Sequence, residues 1–144
     1  MPISKSHAQW RGAFTDGTGT MSGKSGAFTV DYSKGSRFED GSSGSNPEEL
    51  IGAALSGCFS QAFAKLLEDE GHSPQSISTS ATTSLEKRGD GFAVGSIVLD
   101  TEGEVAGLDA DAFKKYAQQA KSCPVSQALQ GVEIALNAKL LTSA

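Results

Sequence analysis

Cys58 and Cys123 are the only thiols among 144 residues, and each sits in surroundings suited to thiol chemistry. Cys58 lies in the apolar run Leu50-Ile51-Gly52-Ala53-Ala54-Leu55-Ser56-Gly57-Cys58-Phe59. Cys123 lies in Ser122-Cys123-Pro124-Val125-Ser126, where the proline is placed to open a helix. Such a pair can cycle between dithiol and disulfide, so if the two sulfurs meet in the fold the protein is a redox enzyme. The attacking species is the thiolate, and what matters is whatever lowers each pKa. For Cys123 the answer is local, because the N–H groups and positive end of a helix starting at Pro124 favour a thiolate at its cap. For Cys58 the apolar mid-helix setting raises the thiol pKa unless a cation approaches, and Arg37 in the loop before the helix is the candidate. Glu48 could hold that arginine, but an ideal helix sets it about ten residues, or roughly 15 Å, from Cys58. A bridge through Arg37, a distorted turn at Gly52 or a group from a second subunit is then required.

The plainer readings stand beside this one. A cysteine in an apolar helix is ordinarily a small core hydrophobe, and a glutamate in a first turn merely complements the helix dipole. A zinc site built from Cys58, Cys123, His7 and His72 lacks the short ligand spacing of structural zinc sites. No phosphate loop, dinucleotide fingerprint or serine-hydrolase elbow points to another cofactor or reaction.

The elements that position these residues are legible in outline. The length suits a single domain over 1–144. A formal net charge of -5 and a pI near 4.9 supply no basic surface for nucleic acid. The opening Met1-Pro2-Ile3-Ser4-Lys5-Ser6-His7 lacks the apolar core of a signal peptide, so a cytoplasmic setting and transient redox use of the cysteines are expected. Segments 8–14, 19–22 and 27–32, parted by Gly, Asp and Ser, read as a β meander. The glycine- and serine-rich loop 33–45 carries Arg37 and Phe38.

Asn46-Pro47-Glu48-Glu49 predicts a capped helix start with Glu49 reaching back, and Gly71 predicts the stop after Glu70. This helix is apolar on nearly every side, which predicts that it is buried. Gly, Ser, Gln61 and Lys65 interrupt it too often for a membrane span, so a homodimer covering its second face is expected. Alternation in 76–87 and 92–100 around Arg88-Gly89-Asp90-Gly91 predicts a long hairpin. Asp109 begins a second amphipathic helix ending near Ser122, a short helix follows over 124–130, and residues 132–140 form a half-buried strand. The order β-β-β-α-β-β-α-β predicts an α+β domain with mostly antiparallel strands.

Arg37-Phe38-Glu39, Asn46 to Ala54, Gly57-Cys58-Phe59-Ser60 and Cys123-Pro124-Val125-Ser126-Gln127-Ala128-Leu129 together closely resemble the osmotically inducible protein C branch of the OsmC/Ohr family, over nearly the whole chain. The resemblance implies a stress-protective organic hydroperoxide reductase, an intertwined homodimer with active sites at its interface and central helices packed between sheets. It implies that Cys58 attacks the peroxide and becomes a sulfenic acid, that Cys123 captures it as a disulfide, and that Arg37 and Glu48 activate the thiolate. No metal, haem or flavin is implied, and the reductant is a dithiol of lipoyl type. The order of attack runs against the local argument favouring Cys123. A charged Arg37 beside Cys58 could outweigh a helix-end effect of about 0.3–1 kcal/mol. Phe38, Phe59 and Phe63 are expected to line an apolar approach to Cys58 that favours alkyl or fatty-acid hydroperoxides. The competing expectations are a noncatalytic redox-sensing or binding protein that uses the same cysteines as a switch, and a structural stress protein whose thiols stay inert.

Overall fold

The computed structural model describes residues 1–141, which divide into two compact units, one over residues 1–50 and one from Ile51 onward. In the first unit, strands β1 (Ser6–Arg11), β2 (Thr18–Gly23) and β3 (Thr29–Tyr32) form an antiparallel sheet in the order β1-β2-β3, the expected meander. The stretch after it is not a featureless loop. Lys34–Phe38 closes into a short helix, α1, capped reciprocally by Ser33 and Ser36. Arg37 therefore sits on a helical turn rather than in a flexible loop.

The long helix α2 (Pro47–Asp69) starts where the sequence places it, with the Glu49 N–H donating to Asn46 Oδ1 at 2.8 Å. The Glu49 carboxylate instead accepts the Ser45 hydroxyl at 2.6 Å, so the reach-back to Asn46 is replaced by a neighbouring contact. At the far end Gly71 adopts φ +86°, while the Gly71 and His72 N–H groups donate to the Glu68 and Leu67 carbonyls. That left-handed turn closes the helix and meets its last carbonyls.

In the second unit β4 (Pro74–Arg88) and β5 (Gly91–Val105) make the long antiparallel hairpin. Helices α3 (Ala110–Ala120) and α4 (Pro124–Ala128) then lead to β6 (Glu133–Leu140), which joins the edge of the sheet in the order β4-β5-β6 and runs parallel to β5. The sheet is thus mixed, because the connection through α3 and α4 is long enough to return the chain in the same direction. Asp109 caps α3 through the Ala112 N–H at 2.8 Å.

The core of this unit forms where one ridge of α2 meets the sheet and α3. Leu55, Phe59, Phe63 and Leu67 recur every four residues and are fully enclosed with Ile97, Leu99, Phe113 and Ala117. The Phe59 and Phe63 ring centroids lie 5.6 Å apart, and those of Phe63 and Phe113 lie 5.0 Å apart. The helix approaches β4 closely at Gly52, where a Cβ would lie 2.9 Å from Thr83 Oγ1. Burial stops at that ridge, since Ala53, Ala54, Gly57, Gln61 and Lys65 are exposed. Within one chain, then, α2 buries one ridge, and its other face is the one for which the sequence reading expects a second copy. Phe63→Ala removes a ring packed at a tilt against two others, and a loss of about 3–5 kcal/mol is expected in chemical denaturation. An unchanged unfolding midpoint would show that Phe63 is not central to the core.

Candidate active site

Cys58 projects from the middle of α2, and the rotation of that helix is set two residues later. The Ser60 hydroxyl donates to Thr79 Oγ1 on β4 at 2.8 Å, and Thr79 shares a 2.9 Å hydrogen bond with Thr101 on β5. Thr101 is itself buried, so this short chain of hydroxyls ties the helix to the sheet at one register.

Cys123 occupies the N-cap of α4 in extended conformation (φ -67°, ψ 162°), is 3 % exposed, and makes no capping bond with its own side chain. The N–H that such a cap would ordinarily take belongs to Val125, and it points to the other cysteine. Val125 N donates to Cys58 Sγ at 3.4 Å. A sulfur from α2 therefore stands in for the missing cap of α4, and the Cys123 thiol neighbours the same sulfur. No disulfide joins the two cysteines. The Ser126 hydroxyl braces the turn through the Lys121 and Cys123 carbonyls at 2.7 and 2.8 Å.

Burial pushes the Cys58 thiol above the ordinary value, the Val125 N–H draws it down, and the neighbouring Cys123 adds to the rise. The sequence argument assigned the helix-end donor to Cys123, because only Cys123 is adjacent in the chain. The fold delivers that donor to Cys58 instead.

In the first unit Arg37 and Glu48 pair directly. Arg37 Nε and Nη2 both donate to Glu48 Oε1, at 3.0 and 2.7 Å. Glu48 is 7 % exposed, and its second oxygen, Oε2, is buried with no hydrogen-bond partner among the described residues. That oxygen is an acceptor without a donor. The guanidinium lies 5.5 Å from the centroid of Phe38 and borders a cavity of about 440 Å³ lined also by Trp10, Phe14, Tyr32 and Lys34. Trp10 packs on Tyr32 with ring centroids 5.4 Å apart, and Phe14 meets Phe38 edge-on at 6.4 Å. Among the described residues no group of three His, Cys, Asp or Glu converges as a metal site would.

Of the three phenylalanines expected to guide a substrate, Phe38 alone borders a cavity. Phe59 and Phe63 are 0 % exposed, so they cannot line an approach. A helix apolar on most faces does not reveal which rings turn inward, and these two turn to the core. Trp10, Phe14 and Tyr32 are not among the site residues expected from the sequence, because their convergence depends on the sheet register that sets Trp10 opposite Gly19 and Gly19 opposite Tyr32.

Residues 39–137 match the family model described as OsmC-like protein. Peroxiredoxin OsmC of Escherichia coli (strain K12) is 46 % identical over 138 residues, covering 94 % of this chain and 95 % of that protein. The chain belongs to the OsmC-like family. Solved structures agree on the fold. An OsmC-like protein of Vibrio cholerae superposes with a TM-score of 0.76 at 20 % identity, over 96 % of this chain and 99 % of that one. The organic hydroperoxide resistance protein OhrB of Bacillus subtilis does so with a TM-score of 0.71 at 23 % identity, over 95 % and 98 %. The OsmC-like fold, with α+β content and both antiparallel and mixed sheets, is thereby established for this chain.

Proposed function

We propose that this OsmC-like protein reduces organic hydroperoxides to alcohols with its two cysteines. The observation that carries the reading is the meeting of Cys58 with Cys123 and the Val125 N–H at the start of α4. A hydrogen bond to sulfur favours the thiolate, which attacks the terminal oxygen of the peroxide. The O–O bond breaks, the alkoxide leaves and takes up a proton, and Cys58 becomes a sulfenic acid. Cys123 then attacks that sulfur, water departs, and a disulfide forms. A dithiol of lipoyl type returns both sulfurs to the thiol state by exchange, itself becoming a disulfide.

Arg37 is the cation we assign to the thiolate and the developing alkoxide, with Glu48 Oε1 orienting it. The cavity beside Arg37, with Phe38, Phe14, Trp10 and Tyr32 on its walls, suits an organic tail better than hydrogen peroxide. A homodimer in the cytoplasm is part of the same proposal. The exposed small residues Ala53, Ala54 and Gly57 on α2 permit close approach of a second copy. The names of the Escherichia coli peroxiredoxin and of the Bacillus subtilis resistance protein support the chemistry.

The test is steady-state consumption of cumene or tert-butyl hydroperoxide with dihydrolipoamide. Multiple turnovers are expected, with kcat/KM at least about tenfold above that for hydrogen peroxide. Because burial pushes the Cys58 thiol up, the rate should climb as pH rises and the thiolate forms. Oxidation that halts after a single equivalent despite excess dithiol would reject a catalytic role.

A further inference from the structure

The turn that carries Arg37 is tied down by one residue. Ser36 Oγ accepts the Ser33 N–H at 2.8 Å and donates to the Ser45 carbonyl at 2.6 Å. The Ser36 N–H donates to Ser33 Oγ at 3.1 Å, and the Ser36 carbonyl accepts from Asn46 Nδ2 at 3.1 Å. One serine is thus bonded to the residue that opens α1 and to the two residues that precede α2. Arg37 follows it directly, and Glu48 lies two residues past Asn46.

A helix of five residues has little stability of its own, because nucleation is unfavourable and few hydrogen bonds repay it. Arg37 is 38 % exposed and has many rotamers to lose. Its two-donor contact to a single carboxylate oxygen requires the turn and the start of α2 to keep a fixed separation. Ser36 is the residue whose side chain and carbonyl both span that separation.

We propose that Ser36 is a positioning residue for peroxide reduction, its hydroxyl and carbonyl holding the Arg37 turn against the start of α2 so that the guanidinium stays on Glu48 Oε1. This rests on the assignment of Arg37 as the working cation. A residue that merely capped α1 would matter equally whatever side chain stood at position 37. A positioning residue matters only while the arginine is present, and that difference decides the experiment.

The full chain is compared as Ser36→Ala, Ser36→Thr, Asn46→Ser, Arg37→Ala and the double variant Ser36→Ala with Arg37→Ala. The readouts are kcat/KM for tert-butyl hydroperoxide with dihydrolipoamide, its pH profile, and thermal unfolding. Ser36→Ala is expected to lower kcat/KM about tenfold, as the loss of the hydroxyl's part-buried hydrogen bonds to Ser33 and Ser45 allows, and to move the acid limb of the profile to higher pH because the thiolate loses a well-placed cation. Ser36→Thr, which keeps the hydroxyl, recovers most of the activity. Asn46→Ser keeps a good helix cap but loses the amide donor to Ser36, and is expected to cost a few-fold.

In the Arg37→Ala background, Ser36→Ala should bring no further loss in kcat/KM. A tenfold loss repeated in that background, or wild-type kcat/KM in Ser36→Ala, would overturn the proposal. If Ser36→Ala does not fold, Asn46→Ser in the presence and absence of Arg37 decides by the same criterion. Wild-type kcat/KM in Arg37→Ala would remove the assignment of Arg37 and this proposal with it. An impaired Arg37→Ala with additive Ser36→Ala removes this proposal alone.

Discussion

Cys58→Ser is expected to reduce hydroperoxide turnover to the uncatalysed background, a loss on the order of a thousandfold or more. The substitution changes one atom, and the volume scarcely alters, so the fold around α2 should persist. What disappears is a sulfur that can attack as a thiolate, although burial holds its thiol above the ordinary value. A serine hydroxyl at the same point has no base beside it: its described neighbours are the Val125 N–H, which donates, and the Cys123 thiol. Peroxide consumption followed in the presence of dithiol, alongside circular dichroism to verify folding, measures this directly. Turnover that survives in a folded Cys58→Ser protein would exclude the mechanism.

The second large effect concerns Cys123. Its removal should leave the first reduction intact and stop the cycle after about one equivalent of peroxide per Cys58, because the sulfenic acid then lacks its capturing thiol. With excess peroxide, mass spectrometry should find Cys58 carrying two added oxygens. The choice of replacement matters. Serine is a strong N-cap and at position 123 can take the Val125 N–H for itself, withdrawing it from Cys58 Sγ. Alanine offers no such acceptor. Cys58 in Cys123→Ser is therefore expected to alkylate more slowly at a given pH than in Cys123→Ala, since loss of the donor raises the thiol pKa. Sustained turnover in both variants would remove Cys123 from the reaction.

Local signals carried much of the architecture. Asn46-Pro47 and Gly71 bound α2 because a cap, a fixed proline φ and a left-handed glycine are properties of single residues. The exposed and half-buried alternation from Glu133 to Leu140 declared β6, but the direction in which that strand pairs has no period and could not be read. The turn Lys34–Phe38 has the sequence of a loop, because five residues containing Gly35 show no helical periodicity. Its one sign was the pair Ser33 and Ser36 three residues apart.

The candidate site divides along the same line. The cysteines, Arg37 and Glu48 were visible as residue types, and the contact between Arg37 and Glu48 matches the partnership assigned to them. The Val125 N–H on Cys58 joins residues 67 positions apart, so no local rule could direct it there. The inward turn of Phe59 and Phe63 likewise depends on which ridge of α2 meets the sheet.

The parallel placement of β6 has a bearing on how the two sulfurs would join. Cys58 rides on a helix of 23 residues clamped to two strands through Ser60, Thr79 and Thr101. Cys123 rides on the strap between the central strand and the edge strand, at the mouth of a five-residue helix whose opening amide leans on someone else's sulfur. The parts are unequal in stiffness. Bond closure would draw the strap toward the helix and leave the strand ladder undisturbed, so amides near Val125 would register the redox state while those of the β4 and β5 hairpin would not.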